Sequence, residues 1–146
     1  VIGIFFIIAA VIGMRNFGEM RTMMAREHSI MGPLVELLVG AALIYLPSSV
    51  EAGLNTFWQT TNPYAYLNSS ETGEAASFVT AAYSVVQLIG TIAFIRGLLM
   101  LKAAGSERGG QPGMLGKALA HMGGGILCIN IYNTLQVLEK TVGLAN

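Results

Sequence analysis

Three ionisable side chains interrupt apolar stretches in which charge is costly: Glu36, Arg96 and His121. Groups of this kind inside membrane-like segments are candidates for ion pairs, relays or substrate contacts, because an unpaired charge is expensive there. Glu36 lies one turn into its apolar run, and Arg96 and His121 fall at similar depth near the ends of theirs. One expectation is a buried ionic or hydrogen-bonded cluster. The other is that Arg96 snorkels to the headgroups while Glu36 and His121 sit in wet interface. A proton path would need titratable groups at greater depth, where the chain offers only Gln87, Asn130 and Asn133, whose amides do not titrate.

The remaining chemistry is sparse. The chain has no Asp, its two histidines are far apart, and one cysteine, Cys128, can build neither a disulfide within the chain nor a thiolate metal centre. Gly113-Met114-Leu115-Gly116-Lys117-Ala118 is reminiscent of the end of a phosphate loop. It has Gln111 where the first Gly belongs, and Ala118 where Ser or Thr should follow the Lys. No enzyme activity, cofactor or metal is expected.

The elements that carry these residues are apolar helices. A composition of 53% hydrophobic and 11% charged residues, with a mean hydropathy of +0.61, leaves too little polar surface to cover a soluble globule of 146 residues. Apolar runs at 30–46, 77–101 and 118–138 are each long enough to cross a hydrocarbon core of about 30 Å. A fourth, Val1 to Met14, is too short at about 1.5 Å per residue, so further residues upstream are expected. That stretch does not read as a signal peptide, having no basic leading region and no small-residue cleavage site. The expected fold is all-α: one integral membrane domain over residues 1–146, with four transmembrane helices arranged as two helical hairpins.

Charge gives the orientation. Seven of the eight Lys and Arg lie at 15–26 or 96–117, whereas the connection 47–76 holds Glu51, Glu71 and Glu74 and no cation. The positive-inside rule puts loops 15–29 and 102–117 in the cytoplasm, with loop 47–76 and the C-terminus on the far side; Lys140, beside Glu139, is the one dissenting cation. With a net charge of zero, nucleic acid is not an expected partner.

Finer signals fill in the plan. A faint repeat aligns Gly32, Gly40 and Leu43 with Gly116, Gly124 and Leu127 at an offset of 84, and Ile2-Gly3 with Ile89-Gly90 at 87; glycine-rich helices give such matches by chance as well. In the outer connection Pro47 is expected to stop the second span, and Ser48 with Glu51 makes a capping-box pattern. Val50, Leu54, Phe57 and Trp58 then form the stripe of a short interfacial helix. Phe57, Trp58, Tyr64 and Tyr66 suit the aromatic belt, either from such a helix or from an irregular loop. Phe17, Met20 and Met24 mark a helical extension on the inner side, fit for a partner or for interfacial packing.

The last run is the most distinctive. His121, Asn130, Asn133 and Gln136 cannot all face lipid without losing partners, so this helix must pack against protein. Gly116, Ala120 and Gly124 make a small-xxx-small ladder beside Gly123 and Gly125, and Ala93 with Gly97 gives a shorter one. Four helices supply few interior positions. Contacts with other subunits are therefore expected, with a tightly packed monomer as the alternative.

The stretches Ser29-Ile30-Met31-Gly32-Pro33-Leu34-Val35-Glu36-Leu37-Leu38-Val39-Gly40 and His121-Met122-Gly123-Gly124-Gly125-Ile126-Leu127-Cys128-Ile129-Asn130-Ile131, with the long polar outer loop between them, resemble the IcmC/DotE inner-membrane proteins of type IVB (Dot/Icm) secretion systems, which have relatives in IncI-type conjugation machinery. The IcmD/DotP proteins share the layout. The resemblance covers most of the chain and rests on hydrophobic pattern and glycine placement. It implies a multi-pass protein of the bacterial inner membrane, loop 47–76 and C-terminus periplasmic. Such a protein is a non-enzymatic subunit of an effector-exporting apparatus, whose partners are the lipid bilayer and other inner-membrane subunits of the system; self-association is a further option. A small channel or transporter subunit is the competing reading.

Overall fold

A computed structural model describes residues 1–20, 30–58, 62–64, 74–105 and 113–143. These form six helices and no strand: α1 (Ile2–Met20), α2 (Met31–Ile44), α3 (Leu46–Phe57), α4 (Glu74–Gly105), α5 (Met114–Ile129) and α6 (Ile131–Val142). Two of them, at Ile2–Glu19 and Ala76–Gly105, are long and apolar enough to cross a membrane, and there are up to four crossings if each bent pair, α2 with α3 and α5 with α6, counts as one. This is a helical, membrane-associated protein.

The boundaries depart from the sequence expectation in three places. The first apolar run ends at Met14 but its helix runs on, in keeping with the extension expected from Phe17 and Met20: α1 continues to Met20, about 28 Å in all. Its Arg15 and Glu19 lie one turn apart with Nε to Oε1 at 2.9 Å, so the polar end of the helix carries a compensated pair. The second run stops at Ile44, and Pro47 stands in the first turn of α3 rather than closing α2. Proline lacks an N–H and its ring would strike the carbonyl four residues back, so the ladder cannot pass through it unbroken. The expected capping box from Ser48 does not form: Tyr45 is the capping residue, and no side chain caps α3. The largest departure is in the last run, where 118–138 is not one straight span but bends by 91° at Asn130.

The two bends are the same structure. Tyr45 has φ −100° and ψ 44°, Asn130 has φ −108° and ψ 47°, and each leads into a helix of 12 residues. The pair α2–α3 turns by 97°. At each break a hydroxyl lies within reach of a carbonyl seven residues back: Ser49 Oγ donates to Ala42 O at 3.1 Å, and Thr134 Oγ1 shares its proton between Leu127 O at 3.0 Å and Asn130 O at 2.9 Å. An offset of 85, not 84, therefore relates α2–α3 to α5–α6.

Helix crossings repeat as well. A Cβ built on Gly3 would lie 2.8 Å from the Gly40 carbonyl oxygen, and one on Gly90 would lie 2.8 Å from that of Gly125. Gly40 returns the contact to Gly3 and Ile7, Gly125 to Gly90 and Phe94. Both are antiparallel hairpins crossing backbone to backbone at a pair of glycines, and 87 residues relate α1 to α4. The halves thus repeat in three dimensions, with Gly3 matched to Gly90 as expected but Gly40 matched to Gly125 and not to Gly124.

Between the hairpins α2 lies against α4, and α3 tucks beneath α5, where Gly53 meets Ile126. The shared core is small: Val39, Leu54, Phe94, Leu98, Ile126 and Ile129. On the far side of the helices large apolar side chains such as Phe5, Ile8, Phe78 and Leu88 are more than half exposed, as expected where lipid is the solvent.

Candidate functional site: the intramembrane charges and the glycine face

Glu36, Arg96 and His121 are not brought together. Glu36 pairs instead with Lys102, Oε1 to Nζ at 2.7 Å, and the same ammonium lies 3.8 Å from the centroid of the Phe6 ring. Arg96 and Lys102 are six residues apart on α4, which places them about 120° apart around the helix. The Lys102 side therefore faces α2, and Arg96 is exposed. His121 is half-buried and its Nδ1 meets the Lys117 carbonyl oxygen of its own helix at 2.8 Å. Sequence reasoning missed Lys102 because it was counted with the inner loop, whereas α4 runs on to Gly105.

Half-burial of the pair makes it a clamp. The side chains of Lys102 and Glu36 are 32% and 19% exposed, so the pair is partly shielded and joins the start of α2 to the end of α4. Gly105 adds to the same junction: a Cβ there would sit 2.7 Å from that of Val35.

The expected assembly residues divide into two sets. Gly125 faces inward, where a Cβ would come 2.7 Å from the Phe94 backbone nitrogen, so it serves the α4–α5 crossing within the chain. Gly97, expected beside Ala93, joins it there, with Met122 and Ala118 against it. By contrast, among the described residues Gly116, Gly123 and Gly124 have nothing within 4 Å of an added Cβ, and Ala120 is exposed. The ladder Gly116–Ala120–Gly124 faces away from the other described helices.

Asn130 is fully buried at the bend. Its Oδ1 accepts from Asn133 Nδ2 at 2.9 Å, while its own Nδ2 finds no partner among the described residues. The amides thus serve the turn rather than a straight span. Around α3, Phe57 is exposed and Trp58 half-buried, their rings 5.6 Å apart, so the stripe stands on a helix and not on an irregular loop. Tyr64 is exposed, and next to it the Pro63 carbonyl accepts from Gln87 Nε2 at 2.8 Å, fastening the outer connection to α4. Tyr66, Met24, Arg21, Arg26, Arg108 and the link 68–73 lie outside the described residues, as does the side chain of Met20. No group of three or more metal-ligating side chains occurs among the described residues.

Comparison of the chain with protein-family models, with curated proteins and with solved structures returns no match.

Proposed function

We propose that the chain is a structural subunit of a multi-subunit membrane assembly, and that this assembly is a type IVB (Dot/Icm-like) secretion apparatus of the bacterial inner membrane. The observation that carries the reading is the open glycine face of α5. A helix facing lipid gains nothing from Gly116, Ala120 and Gly124 in line, whereas a helix facing protein gains close backbone approach. The particular apparatus follows from the resemblance of the two glycine-rich stretches. Glu36 also suits a structural role, since its charge is taken up by Lys102 in holding two helices together.

In this reading α1 and α4 cross the bilayer, α2 and α5 enter it as shorter helices, and α3 and α6 lie along its outer surface. On α6 the residues Leu135, Leu138 and Val142 recur at i, i+3 and i+7, the stripe of a surface-lying helix. The segment 106–112 faces the cytoplasm and 65–73 the periplasm. Single cysteines at Ser69 and Ser106, in a Cys128→Ala background, should label from opposite sides of the membrane with an impermeant maleimide.

A channel or transporter subunit is favoured by one observation, the pair of bent helices with a buried, half-satisfied Asn130, since transporters place sites at helix breaks. Mild solubilisation followed by purification separates the two. Co-purification of further membrane proteins in fixed proportion supports the assembly, and identification of secretion subunits among them supports the apparatus named. Recovery free of other proteins, with ion conductance in liposomes, refutes both statements.

A further inference from the structure

The repeat is open rather than closed. Its first unit offers α2 and α3 to the second, whose α4 and α5 receive them: Val35 against Gly105, Glu36 to Lys102, Val39 in the cluster with Leu98, Gly53 against Ile126. The offsets of 85 and 87 translate each side of this junction onto the other unit. The offering face maps to Ala120, His121, Gly124 and Leu138 on α5 and α6. The receiving face maps to Gly18, Arg15, Val11 and Ala41 on α1 and α2. His121 is half-buried and the other seven are exposed; Gly18 and Gly124 have nothing within 4 Å of an added Cβ.

We propose that these two faces belong to one interface, made between copies of the chain: α5 and α6 of one copy dock on α1 and α2 of the next, repeating the junction between the halves. The occupant follows from the chain itself, because a second copy carries the equivalent of the receiving face that the internal junction uses. Size fits along the seam. Where Gly53 meets Ile126 inside the chain, the translated pair sets Leu138 against Ala41, so large and small exchange sides and the sum is kept. Val35 against Gly105 becomes Ala120 against Gly18, allowing closer approach. The charge pair changes: opposite His121 comes Arg15, which brings its own carboxylate in Glu19 at 2.9 Å. Ile4 and Ile8 continue the same stripe of α1 toward its start as large exposed side chains. Two different faces meet, so the association is head to tail, giving a ring or an open row.

This inference names one partner for the assembly reading, and it is tested on the purified chain alone, so its failure leaves the co-purification result standing. In a Cys128→Ala background, Val11→Cys and Gly124→Cys are introduced singly and together, and the proteins are oxidised in phospholipid vesicles. The double variant should give a ladder of dimers and larger species. Each single variant should remain monomeric, and a mixture of the two singles should give dimer only. Gly124→Leu, at a position with open space around it in one chain, should keep its helical circular dichroism and weaken association about tenfold or more in sedimentation equilibrium. A monomeric double variant, cross-linking of the singles to themselves, or unchanged association of Gly124→Leu would each overturn the proposal.

Discussion

Gly124 and Gly125 are neighbours in sequence and opposites in surroundings, so alanine at each separates helix propensity from packing. At Gly125 the new methyl would lie 2.7 Å from Phe94 N, 2.8 Å from Gly90 O and 3.0 Å from Phe94 Cα. All three are backbone atoms, which cannot rotate aside. Restoring an ordinary contact of about 3.5 Å from the shortest of these requires α4 and α5 to part by about 0.8 Å at the crossing. A gap of that size forfeits roughly a quarter to a half of the dispersion energy between the facing atoms. Overpacking of a tight core costs about 1–3 kcal/mol, and a contact made wholly of backbone belongs at the upper end, about 2–3 kcal/mol. At Gly124 nothing lies within 4 Å, and alanine is the better helix former by about 0.8–1 kcal/mol. Unfolding in mixed micelles by added dodecyl sulfate, followed by circular dichroism at fixed low protein concentration, measures both. Gly125→Ala should lose stability while Gly124→Ala holds or gains. Gly40→Ala should follow Gly125→Ala with a smaller loss, since its contacts at 2.9, 3.0 and 3.1 Å are looser. Equal stability of the two neighbouring variants would refute the assignment of faces, and a neutral Gly40→Ala would refute the duplicated crossing.

Two further perturbations probe the joints. Glu36→Leu leaves the Lys102 ammonium without its carboxylate partner in a half-buried place; this should destabilise the same micelle-folded protein more than the double variant Glu36→Leu/Lys102→Met does, and equal losses would show the pair to be unimportant. Ser49→Ala and Thr134→Val each remove a hydroxyl that caps a carbonyl at a bend, so each should cost about 1–2 kcal/mol; a loss at only one of them would break the equivalence of the two bends.

Much of the helical plan was legible because lipid leaves few choices. Apolar runs of sufficient length mark helices whatever they pack against, and the stripe Val50, Leu54, Phe57, Trp58 located α3 by period alone. The bend at Asn130 had no such signal. No proline marks it, and Asn130, Asn133 and Thr134 read equally well as polar groups on a straight helix. The partner of Glu36 was hidden for a geometric reason: Arg96 and Lys102 differ in face, and a linear chain lists both without saying which side of α4 meets α2.

Glycine shows most plainly where the sequence stops and the tertiary structure begins. The chain alone determined that α5 would be rich in small residues on several sides, since Gly116, Gly123, Gly124 and Gly125 are there to be read. Which of them would be spent inside the molecule was decided by the rotation of α5 against α4, fixed by the crossing of Gly90 with Gly125. Successive helical residues point about 100° apart, so one position buries a backbone contact and the next leaves an open face. Propensity cannot distinguish them, because a glycine has no side chain until a neighbour gives its absence a use.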